Sequence, residues 1–179
     1  MVEVYVAAGS NVEPVRNLCK ALAAIDAAFG PLLLSPAYRN KAVGFEGADF
    51  INLVVGFSTQ EPVTVVRRRL QEIEAACDRP PGAPKWAPRT MDLDILLYGA
   101  IVSSEPGLLL PRPDLLRRPY MLKPIADIAP EVRHPTLHKT MRELWDEFDA
   151  DGHEMSEVSL GECVTNLRCD HRRQPESGR

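Results

Sequence analysis

Lys85-Trp86-Ala87-Pro88-Arg89-Thr90-Met91-Asp92-Leu93-Asp94-Ile95-Leu96-Leu97-Tyr98-Gly99 begins on a stiff, proline-bearing run and ends as an alternating one. From Met91 onward, Met91, Leu93, Ile95 and Leu97 point one way and Asp92, Asp94, Leu96 and Tyr98 the other. That is the period-two pattern of a strand with one buried face. Asp92 and Asp94 then share a face, roughly 7 Å apart along the strand. Two carboxylates so close repel one another unless a cation lies between them. Mg²⁺ suits the place, because it takes one or two carboxylates and fills its remaining positions with water and substrate phosphates. The solvated face of an edge strand would also tolerate two aspartates. It would have no need of the Trp86 indole and the Arg89 guanidinium directly upstream.

The rest of the chain arranges itself around this strand. Residues 2–8 are β-branched and apolar, a first strand that Gly9-Ser10-Asn11 breaks. Pro14 sits where a first helical turn begins, and Leu18, Ala21, Leu22 and Ile25 recur at helical spacing through Phe29 until Gly30-Pro31 stops them. Leu32 to Arg39 reads as a second strand, Asn40 to Asp49 as a loop, and Phe50 to Thr59 as a third strand. Asn52 is the odd residue there: its amide either bonds a neighbouring loop or is aimed at the edge of a heterocycle. Val63, Val66, Leu70, Ile73 and Cys77 predict a second helix, whose other side, with Arg67, Arg68, Gln71, Glu72 and Glu74, reads mostly as a solvated face. Asp78 to Pro88 holds too many prolines for regular structure and is a loop.

Beyond the Asp-bearing strand the sequence predicts a hairpin, turning at Gly99-Ala100 into Ile101 to Ser103, and a short strand at Leu108 to Leu110. Asp114 is placed to cap a short helix to Arg118, and Thr140 to cap a last helix, Met141 to Phe148. From Ala150 the pattern fades, and the final ten or so residues are expected to be disordered. The expected organisation is one domain over 1–150 and a polar tail over 151–179. The order β-α-β-β-α-β specifies an α+β, ferredoxin-like antiparallel sheet with helices on one face, to which the hairpin and C-terminal helices are additions. That architecture serves many functions and names none.

Composition narrows the classes. The chain has 179 residues, 45% apolar and 26% charged, with a net charge of −4. This suits a globular domain and argues against a nucleic-acid surface. No apolar run approaches the ~20 residues a membrane span needs. The N-terminus lacks the basic and apolar regions of a signal peptide, so a cytoplasmic location is expected. Nothing calls for an obligate protein partner. Cys19, Cys77, Cys163 and Cys169 show no disulfide-framework spacing, and Cys19 and Cys77 read as small buried hydrophobes. Cys163, Cys169 and His171 fit no standard zinc spacing.

The run from Lys85 to Leu96 resembles the signature of the 6-hydroxymethyl-7,8-dihydropterin pyrophosphokinase family: basic-x-Gly/Ala-Pro-Arg-x-x-Asp-Leu-Asp-apolar-apolar. Gly9-Ser10-Asn11 resembles the family's opening motif, and Asp49-Phe50-Ile51-Asn52 its aromatic-x-Asn. Pro119-Tyr120-Met121-Leu122-Lys123-Pro124-Ile125 with Ile128-Ala129-Pro130-Glu131 resembles its C-terminal segment, so the likeness covers about residues 2–135. It implies transfer of a pyrophosphoryl unit from ATP to the hydroxymethyl oxygen of 6-hydroxymethyl-7,8-dihydropterin, releasing AMP, in folate biosynthesis. By resemblance, Asp92 and Asp94 hold two Mg²⁺ ions. Arg79, Arg89 and Arg118 pair with phosphate oxygens, and Gln71, Glu74, Ile95 and Arg112 belong to the nucleotide side. Phe50 and Tyr120 sandwich the pterin, Asn52 reads its edge, and the backbone at Ala42 and Val43 adds hydrogen bonds. Trp86 closes over the site from a lid.

Some positions depart from the pattern. Arg112 stands where the family usually has His, a basic residue is missing around Gly107-Leu108, and Pro80, Pro81 and Pro84 replace basic lid residues. These changes cluster on the nucleotide side. Two alternatives stay open at this point: a paralogue with another nucleotide or pterin, and a non-catalytic ferredoxin-like ligand-sensing module.

Overall fold

A computed structural model describes residues 1–42, 47–77, 90–164 and 167. In chain order the elements are β1 (Val2–Ser10), α1 (Pro14–Phe29), β2 (Leu33–Leu34), β3 (Ala37–Asn40), β4 (Phe50–Thr59), α2 (Val63–Ala76) and β5 (Asp92–Tyr98). There follow β6 (Ser103–Glu105), β7 (Leu108–Leu110), a 3-10 turn (Pro113–Leu116), α3 (Pro119–Ile128), α4 (Met141–Asp146) and β8 (Met155–Val158). The main sheet runs β5-β1-β4-β3-β8, with β2 beside β4, and every pairing in it is antiparallel. This is the ferredoxin-like arrangement the sequence predicts, extended by one edge strand.

Both faces of the sheet are covered, not one. On the first face α1 contributes Leu18, Ala21, Leu22 and Ile25, and α2 contributes Val66, Leu70 and Ile73, against Val4, Val6, Leu53 and Val55. On the second, Leu122 and Ile125 of α3 and Met141 and Leu144 of α4 pack against Tyr5, Ala7, Val54, Leu96 and Leu97. The C-terminal helices are therefore the third layer of the core. Each fully buried Leu or Ile in these clusters is worth about 1.5–3 kcal/mol of transfer free energy.

Several local expectations are corrected. β1 does not break at Gly9 but runs to Ser10. The second strand is split by Ser35-Pro36 into β2 and β3, since proline cannot donate to the ladder. The strict alternation in β5 fails after Ile95: Val6 pairs with Ile95 and Tyr5 with Leu97, leaving Leu96 as the extra residue of a bulge. Leu97 thereby joins Leu96 on the second face, and Tyr98 turns to the first. The hairpin forms between β6 and β7, not between β5 and Ile101–Ser103. Asp114 lies inside its 3-10 turn rather than capping it; its carbonyl accepts the backbone N–H groups of Arg117 and Arg118.

Part of the segment expected as a polar tail, 151–179, is sheet. Met155–Val158 forms β8, paired with β3 from Ala37↔Val158 to Asn40↔Met155. Beyond it Cys163 is disulfide-bonded to Cys19 of α1 across 144 residues of sequence. The reading of Cys19 as a small buried hydrophobe is thus wrong. That of Cys77, buried and outside any disulfide, holds. Cys169, His171 and the final ten residues lie outside the described residues. Among those described, no helix is long and apolar enough to cross a membrane.

Thr140 caps α4 as predicted, and with its reciprocal partner. Its hydroxyl accepts the Glu143 N–H at 3.1 Å, while Glu143 Oε2 accepts the Thr140 N–H at 2.7 Å, a capping box. The Thr140 N–H and then the Thr140 hydroxyl, both donating to Glu143 Oε2, hold the Glu143 carboxyl pKa below its usual range. Thr140→Ala is expected to lower stability by about 1 kcal/mol, read from the urea midpoint, with ligand binding unchanged.

Candidate active site

The site begins at Gly9. In the ladder Gly9 faces Asn52 of β4 on one side and Asp92 of β5 on the other. Directly paired residues share a sheet face, so Asn52, Asp92 and the absent Gly9 side chain all point the same way. Asp94, paired with Ala7, lies on that face too, the one α3 covers. A Cβ on Gly9 would sit 2.3 Å from Asn52 Oδ1. The glycine is therefore there for close approach, not for a turn. Ser10, fully buried, donates through Oγ to the Thr90 carbonyl at 2.6 Å, and Asn11 Nδ2 reaches the Ala48 carbonyl at 3.4 Å. The Gly-Ser-Asn run thus makes room for Asn52, ties down the start of β5 and holds the approach to β4.

Asn52 is oriented from the other side by Asn40, whose Oδ1 accepts its Nδ2 at 2.6 Å; Asn40 in turn donates to the Lys41 carbonyl. Both amides are buried. The two readings of Asn52 are therefore compatible: one N–H is spent on its neighbour, and the rest of the amide faces the space over Gly9. Phe50 pairs with Asn40 across the ladder, on the same face.

Tyr120 lies at the start of α3, in a cleft of about 340 Å³ whose lining includes Asn40, Ala42, Arg118, His153 and Met155. Burial raises its phenol pKa. Arg118 opposes the rise, and the carboxylates of Asp114, Asp92 and Asp94 add to it. Tyr120 thus lies within electrostatic reach of both β5 aspartates. Arg118, expected by resemblance to pair with phosphate oxygens, lines the Tyr120 cleft.

A second cleft, of about 350 Å³, wraps the outer edge of β5 and includes Gln71, Glu74, Asp92, Asp94, Ile95 and Arg112. β5 is an edge strand, with backbone groups that need partners from outside the sheet. Glu74 supplies one, accepting the Leu93 N–H at 2.7 Å, between the two aspartates. Arg112 supplies another, donating its backbone N–H to the Leu96 carbonyl at 2.9 Å. So anchored, its guanidinium reaches Asp94 at 3.0 Å and Asp114 at 3.5 Å.

Asp92 and Asp94 are half-buried on one strand face, and the protein already meets Asp94 with a guanidinium. Among the described residues no three His, Cys, Asp or Glu side chains gather as a metal cage. Two carboxylates without a cage suit an ion that keeps water and phosphate ligands, as Mg²⁺ does.

A family model described as 7,8-dihydro-6-hydroxymethylpterin-pyrophosphokinase matches residues 5–130. The chain belongs to this family. Among curated pyrophosphokinases, the Aquifex aeolicus protein is 32% identical over 146 residues, covering 80% of this chain and 91% of that one. The Pseudomonas aeruginosa protein is 36% identical over 136 residues, covering 74% and 83%. Both are named 2-amino-4-hydroxy-6-hydroxymethyldihydropteridine pyrophosphokinase. Among solved structures, Plasmodium falciparum HPPK-DHPS superposes with a TM-score of 0.65 at 14% identity, over 82% of this chain and 43% of that longer one. That likeness speaks to the pyrophosphokinase fold alone.

Of the residues predicted from sequence, Phe50, Asn52, Asp92 and Asp94 share one sheet face. Ala42, Arg118 and Tyr120 line one cleft, and Gln71, Glu74, Ile95 and Arg112 the other. Val43, Arg79, Trp86 and Arg89 lie outside the described residues. Sequence reading missed Asn40, the partner of Asn52, and Arg67, which also lines the β5 cleft. Arg67 carried a signal: with Gln71 and Glu74 it makes an i, i+4, i+7 stripe.

All four tyrosines are pushed above the ordinary phenol range, burial being the largest cause at each. Tyr5, beside Glu3, is pushed up to about 12; Tyr38 donates to Asp127 and Tyr98 to the Glu61 carbonyl. A folded pKa above the unfolded value of about 10 means stability present below pH ~10 and lost as pH rises through the folded values. Alkaline titration is expected to show phenolate absorbance rising together with loss of circular dichroism. Phenolate forming near pH ~10 in the intact fold would contradict this.

Proposed function

We infer that this chain transfers the β,γ-pyrophosphoryl group of ATP to the hydroxymethyl oxygen of 6-hydroxymethyl-7,8-dihydropterin, releasing AMP. The oxygen attacks the β-phosphorus, the bond from that phosphorus to the α-phosphate's bridging oxygen breaks, and the hydroxyl proton leaves to solvent. The observation that carries the reading is the row Asn52, Gly9, Asp92 across three adjacent strands. It sets a heterocycle-reading amide and a carboxylate pair side by side on one face.

Asp92 and Asp94 would hold Mg²⁺, which supplies charge neutralisation of the triphosphate and acidification of the attacking hydroxyl. The chain's own part is positioning, which dominates phosphoryl-type transfer. Asn52, fixed by Asn40, reads the pterin edge. Phe50 and Tyr120 stack on its faces, with the Ala42 and Val43 backbone beside them. Glu74 fixes the strand that carries the aspartates. Arg112 holds Asp94 in place at 3.0 Å and stands where a phosphate oxygen would find a guanidinium. By the family motif Arg79 and Arg89 take phosphate oxygens, and Trp86 closes the site against water.

The test is AMP production from ATP and 6-hydroxymethyl-7,8-dihydropterin by the purified chain, with Mg²⁺ and with excess chelator. AMP is expected to form only with the metal present and in step with pterin consumed. Equal AMP formation under chelation would overturn the metal role. No AMP in either condition would overturn the reaction.

A further inference from the structure

Arg67, Arg68 and Arg69 are consecutive guanidiniums on α2 with different fates. Arg68 pairs with Glu72 at 3.8 Å, and Arg69 with Glu61 at 2.9 Å while lying over the Phe29 ring. Among the described residues Arg67 has no carboxylate partner, yet it is half-buried. Its side chain lies on the β6–β7 turn: a Cβ on Gly107 would be 2.7 Å from Arg67 Nη2 and 3.4 Å from its Cζ. Gly107 has φ +79°, so a side chain there would be strained as well as crowded. The turn therefore yields to Arg67 the space its own side chain would fill.

Arg67 also lines the β5 cleft. The described charges there are the carboxylates of Glu74, Asp92 and Asp94 and the guanidiniums of Arg67 and Arg112. Glu74 is engaged at the Leu93 N–H and Arg112 at Asp94 and Asp114. Arg67 is the guanidinium left over, in a cleft that would otherwise repel a polyanion. An anion brought to a half-buried guanidinium offsets the cost of its partial desolvation. A forked donor suits phosphate oxygens.

We propose that Arg67 binds the polyphosphate of the nucleotide, reaching from α2 into the place of the basic side chain that the Gly107 turn lacks. This rests on the pyrophosphokinase reading and adds a residue to it. In sequence, the stripe with Gln71 and Glu74 is what sets Arg67 apart from its two neighbours.

The experiment measures calorimetric affinity for Mg²⁺ with α,β-methylene-ATP, for AMP and for the pterin, in the wild type, Arg67→Gln and Arg67→Lys. Arg67→Gln is expected to weaken the triphosphate analogue by about tenfold or more, the size of a lost charge-assisted bond. AMP and pterin affinities should stay within about twofold, Arg67→Lys should fall between, and the melting temperature should not move. An analogue affinity within about twofold of wild type overturns the proposal, and so does equal weakening of AMP and analogue. AMP-forming turnover of the wild type, measured in the same preparation, separates the two claims. Turnover with an indifferent Arg67→Gln sinks Arg67 alone, whereas a wild type that neither turns over nor binds the analogue sinks both.

Discussion

Asp92→Ala and Asp94→Ala are each expected to reduce AMP formation by about a thousandfold or more, the counterpart of several kcal/mol of charge stabilisation in the transition state. The two aspartates differ in what else they do. Asp94 is the acceptor of Arg112 at 3.0 Å, so its loss leaves that guanidinium to Asp114 alone. Asp92 faces Gly9 beside Asn52. Neither contributes to an apolar cluster. Both variants should therefore fold, with stability within about 1 kcal/mol of wild type. Removing one of two adjacent carboxylates also relieves repulsion between them. The decisive pairing is activity lost with fold kept. Turnover within about tenfold of wild type in either variant would refute the assignment of that carboxylate.

Gly9→Ala is the second large effect, and it acts on a different ligand. The new Cβ would lie 2.3 Å from Asn52 Oδ1, and Asn52 is not free to retreat, because Asn40 holds its other side at 2.6 Å. Overpacking, together with a disrupted buried amide pair, should cost about 2–4 kcal/mol of stability. Pterin affinity should fall with it, while the Mg²⁺-dependent affinity for a nucleotide analogue changes little. The double variant Gly9→Ala/Asn52→Ala removes the clash. It is expected to recover much of the stability and none of the pterin affinity. Recovery of both would mean that Asn52 acts only as packing. Pterin binding and stability unchanged in Gly9→Ala would contradict the close approach itself.

How far the sequence could be read depended on whether its signals were local. The alternation through Met91–Ile95, with aspartates between apolar residues, fixes which way Asp92 and Asp94 point, and the structure agrees. The same reading failed two residues later because Leu96 and Leu97 are both apolar: with two covered faces, nothing in the pattern marks a bulge. Gly9 was misread because glycine signals equally a turn and a place where another group comes close; only the ladder, which sets Asn52 opposite, separates the two. Arg67 was lost among the charges of an amphipathic helix, where most are solvated. Cys19–Cys163 and β8 were beyond reach, being pairings across long sequence separations, and Met155–Val158 is short and polar, as an edge strand can be. Most residues of the two clefts could be named from motifs, but which line each, with Arg118 beside Tyr120 and Arg112 on Asp94, required coordinates.

The most direct measurement is phosphorus NMR of a single reaction of the purified chain with Mg²⁺, ATP and 6-hydroxymethyl-7,8-dihydropterin. Attack at the β-phosphorus over the Asp92/Asp94 pair predicts AMP and a pterin diphosphate in equal amounts, with no ADP. ADP with a pterin monophosphate, or unchanged ATP, would contradict the account.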